Sequence, residues 1–503
     1  METKLPKSIS VRRNVAANYI GTFCQALLGF VFVPFYIKYL GIENYGLIGF
    51  SVSLSALFRL ADLGLSATLN REFARCSAMP ESAQRMRSLL KTLQTVYWAI
   101  SLLFGVVIVL CAPLIAGYWI NAGSLDVAKV QSAVMLMGLT IALQGPMSLY
   151  LGGIFGLQRH VLGNVINIVF AALRFGGVVL ALALLSPTLT MFFAFQLGVT
   201  FIGAIGTGII LWNFLPRTGI PSCFDMFHLK SVWRFAAGMS INSVLWLILS
   251  QLDKIILIKV LPLKMFGYYA LACTAAAAVT YLGGPLFNTF LPRYTQLYAA
   301  GDCELLRTTY RRSCRLNAII MIPTVVLLAL FSREALLIWT GNPDIAGHAS
   351  LLLSFLVIGN GLNQLALMPF ALQVAAGWVK LGVYTNLAAV IIYAPALVVI
   401  TRFYGALGAT VVWTGLGCFF VFIYVNVLHS RILEGEARYW YAGALLPLVS
   451  AVGLGLAGRY LMPEVTGIWL VASVGMIWSV VIVTAVLASS DLRKKVISLL
   501  GDA

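Results

Sequence analysis

RRNVAANYIGTFCQALLGFVFVPFYIKYLGIENYG (Arg12–Gly46) lies over WRFAAGMSINSVLWLILSQLDKIILIKVLPLKMFG (Trp233–Gly267), at an offset of roughly 221 residues. In this overlay Arg13 falls on Arg234, Lys38 on Lys259 and Gly46 on Gly267. The correspondence continues with Arg71 on Arg293, Lys91 on Arg312, Trp119 on Trp339 and Asn167 on Asn386. Hydrophobicity and charge recur together, so the repeated object is a set of membrane-spanning helices with their flanks. Two copies of one helical bundle facing each other across a cleft is the architecture of many secondary transporters.

The composition agrees. Of the 503 residues, 60% are hydrophobic and 10% charged, with a mean hydropathy of +0.93. Such a chain exceeds what a soluble core can hide and reads as a polytopic all-α membrane protein. About fourteen stretches reach the roughly 20 residues a spanning helix needs: 14–38, 46–70, 95–119, 130–155, 161–185, 190–215, 233–259, 267–291, 316–340, 349–373, 379–401, 404–428, 440–460 and 466–489. An even number of helices per copy leaves both copies in the same orientation, related by an axis along the membrane normal. The expected organisation is a six-helix lobe over residues 1–220, a second over 221–430, and two further helices with a tail over 431–503.

The net charge of +17 does not require a nucleic-acid partner. With the N-terminus in the cytoplasm, most Lys and Arg fall on the cytoplasmic side, as the positive-inside rule demands, and the C-terminus is cytoplasmic too. The loops 71–91 (Arg71, Arg75, Arg85, Arg87, Lys91) and 292–315 (Arg293, Arg307, Arg311, Arg312, Arg315) hold the largest share; fixing orientation and touching anionic lipid accounts for most of them. The leading METKLPKSISVRR precedes a full-length span rather than a cleavable signal. The eight cysteines are scattered and frame no disulfide or metal site. His160, His228, His348 and His429 lie near span ends without ligand spacing, in interfacial roles. Short outward loops leave no room for an external catalytic domain, and no Walker-type phosphate loop is present. No cofactor and no metal is expected, and the driving energy comes most simply from an ion gradient.

A charge at the centre of a spanning helix costs about 2.5–3.5 kcal/mol, so the few that persist should face a cavity or a partner. Arg59 and Arg174 sit near the midpoints of helices 2 and 5. Asp62 follows Arg59 by one turn, and two readings are open: a self-neutralised pair, or a cavity-lining pair that changes partner. Arg174, in NIVFAALRFGGVVLAL, has no acid nearby in sequence and cannot readily deprotonate; it faces substrate or cavity, or else holds helices together. On helix 7, Asp253 and Lys254 point about 100° apart and are not expected to pair directly. Asn242, Trp246 and Asp253 share one face, Ser243, Ser250 and Lys254 the next. Asp253 is the better candidate for a proton or cation site, with pairing to Arg59 or another base as the alternative.

Helix 1 carries Asn14, Asn18 and Gln25 on one face, and Pro34 should kink its outer end. Gln144, Asn164, Asn167, Gln196, Asn288, Asn360, Asn363, Gln364 and Asn386 add amides in the other spans. Their default role is interhelical hydrogen bonding, although a sugar-binding lining needs the same chemistry. Arg12, Arg13, Arg71, Arg234 and Arg293 come from matching cytoplasmic helix ends. If those ends converge they make a basic vestibule for a phosphate, with a lipid head group as the competing occupant.

Three segments, RRNVAANYIGTF, YLGIENYGLIGF followed by LADLGL, and LSQLDKIIL with a downstream FGYYALA, resemble the polysaccharide-transporter branch of the multidrug/oligosaccharidyl-lipid/polysaccharide exporter superfamily. These are the O-antigen and exopolysaccharide repeat-unit flippases, and the likeness covers roughly residues 10–430. The resemblance implies two six-helix lobes in a V around a central cavity. It implies as cargo an oligosaccharide on an undecaprenyl pyrophosphate carrier, turned across a bacterial inner membrane, with H+ or Na+ as coupling ion and polysaccharide polymerase machinery as a downstream partner.

Such a cargo needs cations for its pyrophosphate, amides for its glycan and lipid for its tail. Arg59 and Arg174 would meet the anion at mid-membrane, with Asn18, Gln25, Gln144, Asn242, Trp246 and Lys254 lining the path. Asp62 and Asp253 would compete for the same cations or carry a coupling proton. A drug or organic-cation antiporter of the same superfamily is the first alternative. A membrane glycan polymerase or ligase is the second; it would need a catalytic outer loop.

Overall fold

The computed structural model describes residues 11–58, 65–76, 83–123, 125–216, 224–226, 240–461, 472–473, 475–480 and 483. All regular elements among them are helical: α1 (Val11–Val31), α2 (Val33–Phe58), α3 (Leu65–Cys76), α4 (Ala83–Leu114), α5 (Val127–Gly156), α6 (His160–Ala172), α7 (Val178–Leu184), α8 (Leu189–Phe214), α9 (Ser240–Val260), α10 (Leu263–Ala300), α11 (Cys303–Leu330), α12 (Ser332–Thr340), α13 (Pro343–Leu365), α14 (Leu367–Ala375), α15 (Val379–Phe419), α16 (Val425–His429) and α17 (Glu436–Leu461). Five-residue π-helical turns continue α4 at Ile115–Trp119, join α6 to α7 at Leu173–Gly177, and join α15 to α16 at Phe420–Tyr424. Ten helical runs among the described residues are long and apolar enough to cross a membrane, or eleven if the bent α1–α2 pair is one span. Most of the fourteenth expected span, and Arg59, Asp62 and Arg234, lie outside the described residues.

Span boundaries move for identifiable reasons. The axis bends by 43° between α1 and α2, one residue ahead of the Val33–Pro34 pair, because Pro34 offers no N–H to the preceding turn. The reversal after this first crossing sits at Gly41, whose φ of 83° suits only glycine. Gly405 (φ 57°) plays the same part inside Val379–His429: at 1.5 Å per residue that stretch would run about 76 Å as one rod, more than two bilayer cores. A Cβ on Gly408 would lie 2.7 Å from the Ile400 carbonyl oxygen, so the two arms close tightly around this turn.

Expected span 316–340 is broken at Phe331 and 349–373 at Ala366. The basic residues expected in loops lie on helices instead. Arg71 and Arg75 lie on α3, Arg85, Arg87 and Lys91 on the first turns of α4, Arg293 on α10, and Arg307, Arg311, Arg312 and Arg315 on α11. Hydropathy marks where a helix leaves hydrocarbon, not where it stops winding, and long cationic side chains are good helix formers. The sequence TGNPD closes α12 and opens α13. Gly341 is left-handed (φ 64°), the Asn342 side chain accepts from the backbone N–H groups of Asp344 and Ile345, and Pro343 takes the first helical position.

The chain divides into two compact units, Met1–Gly267 and Tyr268–Ala503. In the first, α5 packs against α3, α4 and α8 around Leu65, Leu69, Phe73, Leu90, Leu93, Leu149 and Leu211; α1 lies on α6, and α9 on α2. In the second, α11 packs on α13 and α17, and α13 on α15.

Two glycines equivalent in the repeat meet inside the first unit. A Cβ on Gly46 would sit 2.8 Å from the Leu263 carbonyl oxygen, and one on Gly267 would collide with the carbonyl of Ile42. Backbone cannot swing aside as a side chain can. Gly267→Ala is therefore expected to cost about 1–3 kcal/mol, read as a lowered melting temperature in detergent. Gly284→Ala, where a methyl meets open space, is the control that should not move.

Candidate functional site

Arg174 lies within the span His160–Leu184, on the π-helical turn Leu173–Gly177. A wide turn leaves carbonyl groups short of their helical donors, and two neighbours supply them. The Gln196 amide donates to the Arg174 carbonyl oxygen at 2.8 Å, and the Tyr36 hydroxyl donates to that of Phe175 at 2.8 Å. Gln196 is reciprocally bound, its Oε1 accepting from Arg174 Nε at 3.1 Å. One guanidinium edge is thus fixed to α8, and the terminal Nη groups have no acidic partner among the described residues. Gly176 lets the ring of Phe32, at the α1–α2 bend, approach to 3.0 Å of where a Cβ would be. The bend of the first crossing and the irregular turn carrying Arg174 therefore touch.

Nearer the start of α6 lies a second polar group. Asn164 Nδ2 donates to Asn18 Oδ1 at 2.6 Å and to the His160 carbonyl oxygen at 2.8 Å, while Asn18 Nδ2 lies 3.5 Å from His160 Nδ1. Asn18 and Asn164 tie α1 to α6 where Gly21 lets them approach. Ten residues separate Asn164 from Arg174, about 15 Å along the helix. Gln25 donates to the Gly21 carbonyl of its own helix at 3.2 Å. Gln144 is partly buried on α5, and its side chain makes no hydrogen bond among the described residues.

On α9, Lys254 Nζ reaches both carboxylate oxygens of Asp253 at 3.2 Å and the Ser250 carbonyl oxygen at 2.9 Å. This corrects the expectation that adjacent residues cannot pair: the 100° rule describes Cβ directions, and a four-carbon stem curls back across it. Asp253 is buried, Lys254 and Asn242 are partly buried, and Trp246 is exposed. Of the expected vestibule, Arg71 is exposed on α3 in the first unit and Arg293 is exposed on α10 in the second. Arg12 and Arg13 stand in the first turn of α1, with side chains outside the described residues.

The second unit holds polar groups that spacing did not single out. Glu436, 1% exposed, accepts from Arg311 Nε and Nη2, both at 2.7 Å, and lies 3.6 Å from Arg307. The Arg311 guanidinium also stacks 3.8 Å from the ring centre of Tyr439. His429, expected in an interfacial role, is buried and bonded through Nε2 to the Tyr310 hydroxyl at 2.8 Å. Of the expected amides, Asn360 bridges helices to Trp413 and the Ala276 carbonyl, whereas Asn363 bonds to the Gly359 carbonyl of its own helix; Asn317, not among them, adds a bridge to the Gln364 carbonyl. An acid opening a helix was the one available signal for Glu436; nothing in its neighbours announces burial.

These features define a multi-pass α-helical membrane protein whose spans carry fixed polar and cationic groups, the general character of a transporter. A model for the polysaccharide biosynthesis protein family matches residues 11–298, more than half of the chain, and the MatE model matches residues 239–399. The chain belongs to the polysaccharide biosynthesis protein family. A Shigella flexneri protein named "Putative O-antigen transporter" is 20% identical over 406 residues, covering 81% of this chain and 94% of the relative. Among solved structures, lipid II flippase MurJ in an inward closed conformation is similar, with a TM-score of 0.71 at 13% identity, over 94% of this chain and 98% of that one. An inward-facing multidrug resistance MATE transporter gives 0.58 at 15% identity, over 83% of this chain and 98% of that one. At such identities the likeness is one of fold.

Proposed function

We propose that this protein turns an oligosaccharide repeat unit on an undecaprenyl pyrophosphate carrier from the cytoplasmic to the outer leaflet of a bacterial inner membrane, for surface polysaccharide assembly. The observation that carries this reading is Arg174: a cation deep in a span, clamped through Nε by Gln196, with no carboxylate counter-ion among the described residues. A fixed arginine whose remaining donors lie inside hydrocarbon suits a bidentate anion such as a phosphate.

Arg59 is the matching cation from helix 2, with Asp62 as its competitor. Asn18, Gln25, Gln144, Asn242, Trp246 and Lys254 serve the glycan path, and Asp253, paired to Lys254, carries or modulates the coupling proton or cation. Arg12, Arg13, Arg71, Arg234 and Arg293 gather the pyrophosphate from the cytoplasmic side, where both termini lie. The lobes 1–220 and 221–430 alternate access while 431–503 is appended, and the cargo passes unchanged to polymerase machinery, with no covalent chemistry on the way.

The MatE match over residues 239–399 supports one other reading, an organic-cation antiporter. Reconstituted vesicles offered lipid-linked oligosaccharide or an organic cation, with and without an H+ or Na+ gradient, separate the two. Gradient-dependent appearance of glycolipid on the far leaflet is expected. Cation uptake with no movement of glycolipid would overturn the proposal.

A further inference from the structure

The first unit carries an exposed apolar groove of about 350 Å³ between α4 and α5, reaching Leu197 on α8. Its α4 wall runs from Trp98 to Leu110, about 18 Å at 1.5 Å per residue, close to the roughly 15 Å half-thickness of the hydrocarbon core. Gly105 makes the depression. A Cβ there would already lie 3.5 Å from Leu139 and 3.7 Å from Ala142, so any longer side chain would occupy the groove. The rim is open: Leu102 is 70% and Leu110 72% exposed, a surface suited to lipid.

The groove has a charged end. Lys91 precedes Trp98 by seven residues, two helical turns and therefore the same stripe of α4, and is exposed with no ion pair among the described residues. Arg87, one turn earlier, stacks 5.1 Å from the ring centre of Trp212 and donates to the Pro216 carbonyl at 3.2 Å, which fixes a second cation near this end. Trp212 in turn donates to Gln94 at 2.8 Å, so α4 and α8 are tied together just where the stripe turns from apolar to basic. Along one helix face the order is cation, tryptophan, apolar trough, the profile of one phospholipid from head group to chain.

We infer that this groove is a binding site for a single acyl chain of an anionic glycerophospholipid, its phosphate held by Lys91 and its chain laid over Gly105. The inference does not depend on what the protein transports. Trp98 lines the groove and reports occupancy. Its signal is the difference in tryptophan fluorescence between the protein and a Trp98→Phe variant in mixed micelles. In these, brominated phosphatidylglycerol should quench Trp98 at an at least tenfold lower mole fraction than brominated phosphatidylcholine. Unlabelled phosphatidylglycerol should reverse the quenching. Lys91→Gln should erase the head-group preference and Gly105→Leu the quenching itself. Lys91 is on an exposed helix face, so its variant keeps the test decisive if Gly105→Leu does not fold. Equal quenching by both lipids, unchanged in Lys91→Gln, would reduce the groove to ordinary lipid contact. Displacement by undecaprenyl phosphate but not by phosphatidylglycerol would assign it to a polyprenyl tail; either result overturns the inference.

Discussion

Arg174→Gln is expected to cut glycan export about tenfold to hundredfold while the protein still reaches the membrane in normal amount. The substitution removes charge but little packing: glutamine keeps an amide within reach of Gln196, so the helix contact at the π-helical turn retains a hydrogen bond. The fork of donors is what disappears. A hydrogen bond to a charged group contributes about 1.5–3 kcal/mol, which corresponds to a tenfold to hundredfold loss of transport at subsaturating cargo. Arg174→Lys keeps the charge without the planar fork and should fall between. Arg59→Gln is expected to behave as Arg174→Gln does. Gln196→Leu should instead lower stability, because it leaves both Arg174 Nε and the Arg174 carbonyl without partners. The measurements are membrane abundance, melting temperature and flipping in vesicles. Near-normal flipping by Arg174→Gln would remove the cation from the mechanism.

What could be read from the chain was the fold, through features that act locally. The matched positions from Arg12 and Trp233 and the proline just after the first bend each act through their own backbone. Gly41 and Gly405 lie at or within a few residues of the boundaries that hydropathy suggested, and only torsion angles identify them as the points of reversal. The site was legible in part. Arg174 stands out in any hydrophobic stretch, because a guanidinium in hydrocarbon is costly wherever it faces. Its partner Gln196 does not, since nothing in FFAFQLGVT separates an amide that clamps an arginine from one that joins two helices. Lys254 was misjudged because side-chain length defeats a rule about Cβ directions. Glu436 escaped notice and His429 was expected at the interface because burial at a helix end is a tertiary property.

The second large effect is a stability asymmetry in the second unit. Arg311 is 39% exposed and Arg307 37%, whereas Glu436 between them is 1% exposed. Removing the acid leaves two cations that water can solvate; removing Arg311 leaves a carboxylate that water cannot reach, with only the more distant Arg307 beside it. Glu436→Gln should therefore cost about 1 kcal/mol, as one lost net hydrogen bond does, and Arg311→Met about 3 kcal/mol, the range for stranding a buried charge. Combining the two should recover most of the Arg311→Met loss, because the glutamine no longer needs a cation. The same contact holds the start of α17 against α11, so Arg311→Met should also speed protease cleavage in the 430–435 connection. Melting temperatures of the two single variants and the double variant form the cycle. Equal single losses that simply add would mean that α17 is held by its apolar contacts with Ala318 and Ile322, and that the ion pair contributes nothing to docking it.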